Sequence, residues 1–142
     1  MKLEPIGIIH SPYKERGDAP FQGGLSDTVV ELELYPQYLP GLKDIDQVTH
    51  IIVLYWGDRS KRNVLQVQTP FVEEPKGVFA CRAPDRPNVI ALCVAKLLTV
   101  EGTRLFVRGV DALDGSPLLD IKAYSNKVDC VPEAKIDWWP EE

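Results

Sequence analysis

Apolar and polar positions alternate along most of this chain with a period of two, the pattern of half-buried strands rather than of helices. Over residues 28–35 the alternation is strict: Val30, Leu32 and Leu34 face one way, Glu31 and Glu33 the other. Residues 6–9 are short, apolar and β-branched. Residues 48–56 are β-branched and aromatic, lie between Asp46 and Gly57, and read as a central strand. Residues 77–82, 89–100 and 103–110 continue the series. Glu101-Gly102 marks a hairpin between the last two, since glycine tolerates positive φ. A final short strand is expected over 118–122. Helical signal is confined to 36–45, with Leu39 and Leu42 expected inward and Pro40 and Gly41 limiting its length. Six or seven strands joined by proline- and glycine-rich loops predict an all-β domain, a small barrel or closed sheet with one short helix.

Composition sharpens this picture. The chain has 142 residues, 44% of them hydrophobic, enough for one domain with a real core. We expect a single domain over 1–142, with a polar tail at 131–142 that docks through Trp138 and Trp139 on the domain or on a partner subunit. The longest run without Asp, Glu, Lys or Arg is 47–57, far short of the roughly 20 residues a membrane span needs. No basic-then-apolar leader opens the sequence. Three cysteines without a CxxC pair speak against a disulfide scaffold or a zinc knuckle, and a reducing cytoplasm is the expected compartment. No metal and no membrane partner are expected. The net charge is −5, unevenly spread. Residues 59–108 hold nine Lys/Arg against four Asp/Glu; the remainder holds seven against seventeen. A basic middle in an acidic chain can steer an anionic ligand to one face.

The chemistry sits in loops. No GxSxG, HExxH, Walker or GxGxxG pattern occurs. The two histidines, His10 and His50, lie at or in apolar strands, where structural and catalytic roles both stand open. Residues 8–13 end a strand in a proline-stiffened polar corner. Residues 20–24 place Gln22, a donor and an acceptor at once, between Pro20-Phe21 and two glycines. Residues 81–88 carry Arg82, Arg86 and Asn88 in a loop stiffened by Pro84 and Pro87, so the Arg forks are aimed in advance at a carboxylate or phosphate. Residues 111–117 form an Asp-Gly turn. After it, Asp120, Lys122 and Tyr124 share one strand face by period two, as a salt-bridged surface or as a site.

These loops, in this order, resemble the TsaA-like family, also called TrmO. Ile6-Gly7 with His10-Ser11-Pro12, Pro20-Phe21-Gln22-Gly23 and Val48-Thr49-His50 match its early segments. The run from Gly77 to Asn88 matches its Gly-Val-Phe-Ala-Thr-Arg-Ser-Pro-His-Arg-Pro-Asn signature. Leu113-Asp114-Gly115-Ser116-Pro117 and Leu119-Asp120-Ile121-Lys122 match its last two. The resemblance implies a single-domain antiparallel β-barrel that forms a homodimer. It implies an S-adenosylmethionine-dependent methyltransferase, with tRNA as partner and N6 of threonylcarbamoyladenosine beside the anticodon as acceptor. Alternatives are a small-molecule acceptor or a non-catalytic S-adenosylmethionine-binding regulatory module. Cofactor contacts then fall on Pro20, Phe21, Gln22, Asp58, Arg59, Arg82, Leu92, Ala112, Leu113, Asp114 and Gly115. Arg86, Asn88 and Lys122 are expected on the substrate, and His10, Asp120 and Tyr124 are the candidate catalytic residues. The chain departs from the family at Cys81, Ala83, Asp85, Asp58, Cys93 and Ala123, so the cofactor carries over more firmly than the acceptor.

Overall fold

The computed structural model describes residues 1–19 and 27–140. It resolves into two compact units, Met1–Asp58 with Ile90–Tyr124, and Arg59–Val89 with Ser125–Glu142.

The first unit is a closed antiparallel barrel. Its strands are β1 (Gly7–His10), β2 (Val29–Leu34), β3 (His50–Trp56), β6 (Ile90–Glu101), β7 (Arg104–Arg108) and β8 (Pro117–Ala123), in the spatial order β1-β2-β7-β6-β3-β8. Closure leaves no edge strand, which removes the usual route to edge-on aggregation. The period-two pattern becomes the barrel wall. Val30, Leu32 and Leu34 point inward with Ile9, Ile51, Val53, Leu105 and Val107, while Glu31 and Glu33 stay on the outer face. Gly102 turns the β6–β7 hairpin at φ 61°, as Glu101-Gly102 predicts. Gly7 lies between Leu34 of β2 and Leu118 of β8. A Cβ there would collide with the backbone carbonyl of Glu33, so only glycine lets the three strands close.

Two irregularities break strict alternation. In β6 an extra residue at Leu98 puts Leu97 opposite Val107 and Val100 opposite Leu105. In β8 the register shifts between Leu54 and Tyr55, which pair with Asp120 and Leu118 respectively. Leu119 is the extra residue, so Leu118 and Ile121 both serve the interior while Asp120 and Lys122 face out.

The helical segment is a 3-10 stretch, Pro36–Leu42, followed by a second turn at Ile45–Gln47 that starts from Asp44 at φ 67°. Tyr38, Leu42 and Ile45 pack on the core. Leu39, expected inward, is 50% exposed.

In the second unit β4 (Gln66–Val67) pairs with β5 (Lys76–Gly77). The strand expected over 77–82 stops there. Gly77 is the last residue with a ladder partner, and Val78–Ala80 winds into a 3-10 turn that buries Val78 and leaves Phe79 80% exposed. The C-terminal segment reaches the 59–89 segment through Trp139, whose ring lies 4.8 Å from Phe71 and 5.6 Å from Trp138. The Lys76 ammonium stands 5.9 Å from the Trp138 ring. No helix among the described residues is long and apolar enough to cross a membrane.

Candidate functional site

Two of the loops singled out by sequence meet at one end of the barrel, where β1 ends and β8 begins. The Ser11 hydroxyl donates to the Ala112 carbonyl at 2.7 Å, and the Ser11 amide donates to Asp114 Oδ1 at 3.0 Å. Lys14 Nζ donates to Asp114 Oδ2 at 2.7 Å. In the other direction the Asp114 amide donates to the Tyr13 carbonyl at 2.7 Å, and the Gly115 amide to Ile9 at 2.8 Å. Ser116 closes the turn on the Leu113 carbonyl. Gly115 sits at φ 82°, a conformation glycine adopts without cost. The loop over 112–115 is therefore bound along its length rather than merely tethered at its ends. The Lys14 ammonium, followed by the Ser11 amide, holds the Asp114 carboxyl below its ordinary range, so a fixed negative charge stands at this end of the barrel.

The same loop is also gripped from inside. Asp111 Oδ1 accepts the Tyr55 hydroxyl at 2.7 Å and the Cys93 thiol at 3.1 Å. Sequence reading named Asp111 only as part of a turn. The signal available there was a carboxylate at a strand end, two residues after a glycine.

His10 lies beside this loop on the outer face. Its Nε2 is 2.7 Å from Glu33 and 3.8 Å from Glu31, and Arg104 is 3.4 Å from Glu31. The three side chains offer metal-ligating atoms within 4.8 Å of one another, but the guanidinium already answers one of the carboxylates. Asp58 follows β3 at the same end, its amide bonded to the Trp56 carbonyl.

The other two candidate catalytic residues are elsewhere. The Tyr124 amide donates to the His50 carbonyl, at the start of β3 and so at the opposite end of the barrel. Seven residues of β8 separate Pro117 from Tyr124, about 23 Å of extended chain. Asp120 pairs with Lys122 at 3.2 Å, which confirms their shared face. Asp120 also lines a groove of about 610 Å³ with Tyr38, Pro40, Leu42 and Val48. Within the chain His10 does not meet Asp120 or Tyr124.

Leu92 is on the outer wall of β6, 43% exposed and opposite Leu54. With Ile52, Trp56, Ile90 and Val94 it forms an apolar face on the outside of the barrel. Outward apolar positions on β3 and β6 are what a continuous apolar run, rather than an alternating one, records in sequence.

Arg59, Arg82, Arg86 and Asn88 belong to the second unit. The Arg86 guanidinium donates to the backbone carbonyls of Val78 at 2.7 Å, Ala83 at 3.0 Å and Cys81 at 3.3 Å. Arg62 donates to the Pro87 carbonyl at 2.6 Å and to Asn88 Oδ1 at 3.1 Å. Asp85 accepts the Lys61 amide at 2.9 Å. Arg82 is exposed. Pro20, Phe21 and Gln22 lie outside the described residues.

A model of the tRNA-methyltransferase O N-terminal domain matches residues 8–130. The chain belongs to the TrmO family. It is 52% identical over 131 residues to an S-adenosyl-L-methionine-binding protein of Archaeoglobus fulgidus, covering 92% of this chain and 94% of that protein. It is 37% identical over 139 residues to the putative S-adenosylmethionine-dependent methyltransferase RcsF of Pseudomonas aeruginosa, covering 93% of this chain and 58% of RcsF. A crystal structure of TrmO from Pseudomonas aeruginosa superposes with a TM-score of 0.81 at 34% identity, over 99% of this chain and 62% of that one. The chain thus spans about three-fifths of the solved TrmO chain and nearly all of the archaeal relative. The TrmO match contains both halves of the docked loop, 11–14 and 112–115.

Proposed function

We propose that this chain methylates N6 of threonylcarbamoyladenosine in the tRNA anticodon loop, with S-adenosylmethionine as the methyl donor. Family membership carries the coarser part, an S-adenosylmethionine-dependent methyltransferase built on a β-barrel. The observation that carries the reading is the docking of 112–115 on 11–14, which joins two family segments about a hundred residues apart into one rigid surface.

This surface suits the cofactor. An ionised Asp114 and, after β3, Asp58 offer carboxylates to a cationic molecule, Leu113 offers apolar contact, Ala112 is buried in the core beneath the loop and supports it from below, and Gly115 presents no side chain. Arg59 and Arg82 would hold carboxylate groups, and Pro20, Phe21, Gln22 and Leu92 complete the proposed cofactor set. The cofactor supplies a methyl carbon already activated by its sulfonium. What the protein adds is alignment of the acceptor nitrogen and removal of its proton. Of the three candidate bases, His10 is nearest the docked loop, and Glu33 orients its ring. Asp120 and Tyr124 act only if a second subunit brings them to the loop. Arg86 and Asn88 act on the substrate by holding the 78–88 loop in shape, and Lys122 by its exposed charge.

The apolar face at Ile52, Leu54, Trp56, Ile90, Leu92 and Val94 supports a homodimer, with a second copy covering it. A basic stretch over 59–108 supports tRNA as partner, and we place the reaction in the cytoplasm. A regulatory binding module is the second reading, favoured by the archaeal relative's name, which states binding alone.

Calorimetric titration with S-adenosylmethionine and S-adenosylhomocysteine tests the pocket. Transfer of labelled methyl to tRNA carrying or lacking the threonylcarbamoyl group tests the acceptor. Binding of about one cofactor per subunit with label only in the modified tRNA is expected. Binding without transfer to any RNA supports the regulatory reading, and binding of neither ligand removes both.

A further inference from the structure

We infer that Asp111, with Tyr55 and Cys93 as its donors, is a positioning latch that sets the 112–115 loop from inside the barrel and tunes cofactor affinity without contacting the cofactor. The inference rests on the reading of that loop as the S-adenosylmethionine site.

The latch joins two strands and the loop after a third at one atom. Tyr55 comes from β3, Cys93 from the neighbouring β6, and Asp111 from the chain leaving β7, and Oδ1 of Asp111 receives both donors. Tyr55 and Cys93 point into the barrel, 8% and 6% exposed. Burial, then the negative charge of Asp111, drives the Tyr55 hydroxyl far above its ordinary pKa, so it remains a donor throughout the physiological range. Just upstream, Gly109 sits at φ 103°, where a Cβ would lie 2.9 Å from the Val94 carbonyl. Glycine is therefore required at 109 for the chain to leave β7 in this direction. Val110 and Ala112 are buried in the core on either side of Asp111, whose carboxylate sets the direction between them, and the Asp114 and Gly115 amides, bonded to Tyr13 and Ile9, follow. An apolar residue at 111 would seal the barrel end, but it would not fix direction. A carboxylate with two donors does so, because hydrogen bonds are directional and a half-satisfied buried network is costly.

The test uses the full chain and two readouts. Backbone amide exchange at Asp114 and Gly115, without ligand, reports the position of the loop. Calorimetry with S-adenosylhomocysteine reports affinity. Losing one donor corresponds to about fivefold in an equilibrium constant. Tyr55→Phe and Cys93→Ala are each expected to speed exchange at both amides and weaken the ligand by about that factor. Cys93→Ser, which keeps a donor, is expected to restore both readouts. Leu105→Val, elsewhere in the core, should lower the melting temperature and move neither. Unchanged exchange in the Tyr55→Phe/Cys93→Ala double variant would overturn the latch. Faster exchange with unchanged affinity would overturn its link to the cofactor. If the unaltered protein binds neither S-adenosylmethionine nor S-adenosylhomocysteine, the cofactor reading falls, and the exchange data alone decide whether the latch holds the loop.

Discussion

The barrel and the 59–89 segment satisfy their backbones by opposite means. In the barrel, main-chain donors meet main-chain acceptors along six closed ladders, and side chains are left to fill the interior. In the segment over 78–88, Pro84 and Pro87 have no amide hydrogen, and the ladder ends at Gly77. Side chains take over the donors' task. One guanidinium, Arg86, answers three carbonyls, and Arg62 answers a fourth. The same five-donor fork that recognises a carboxylate also suits a turn of backbone that has lost its own donors. An arginine in a proline-rich loop thus carries two readings in sequence, and its neighbours' missing amides decide between them.

This contrast can be broken at four points, in falling order of effect. Gly7→Ala strikes the barrel's closure, because the new Cβ meets the Glu33 carbonyl. A loss of about 3 kcal/mol or more is expected in denaturant unfolding of the barrel. Arg86→Met strikes the loop alone. Taking the guanidinium away from the Val78, Cys81 and Ala83 carbonyls should cost about 2 kcal/mol, seen as faster proteolysis within 78–88 while amide protection in β2 and β7 is retained. Equal loosening of the barrel would show that the two regions are not independent.

Tyr55→Phe removes one hydrogen bond inside the barrel, about 1 kcal/mol. Because the folded protein raises the Tyr55 pKa, its contribution is complete below the unfolded value of about 10 and is lost as pH rises above it. The variant should therefore show a flatter alkaline limb in stability against pH. Asp114→Asn is the mildest change, below about 1 kcal/mol for so exposed a pair. Its sign is opposite. The folded pKa is depressed, so the contribution is present above the unfolded value of 3.8 and is lost as pH falls below it. The Asn variant should lose that part of the acid dependence, and a steeper acid limb would contradict the Lys14 pairing.

Much of the barrel was legible because alternation is a direct record of inside and outside. Val30, Leu32 and Leu34 were placed inward from spacing alone, and so they are. The loops at 8–13, 81–88 and 111–117 were legible because proline, glycine and clustered polar residues mark places where a ladder cannot continue. Three features were not. The bulge at Leu119 turns the strand so that Leu118 and Ile121 share the interior, a shift that no residue type announces. The strand expected over 77–82 ends at Gly77 because a strand needs a partner, and only two residues of β4 provide one. His10, Asp120 and Tyr124 were grouped by chemistry, yet His10 and Tyr124 sit at opposite ends of the barrel and Asp120 lies midway along β8.

The chain's own order of residues determined the all-β class, the approximate strand positions, the hairpin at Gly102 and the family to which the loops belong, since each depends on local pattern or on matched segments. Tertiary structure alone decided which loops touch. Ser11 and Asp114 lie 103 positions apart, and Tyr55 and Cys93 come from two strands while Asp111 comes from the loop after a third. Spacing along a chain sets which face a side chain takes, but only the register of closed strands sets which distant side chain stands opposite.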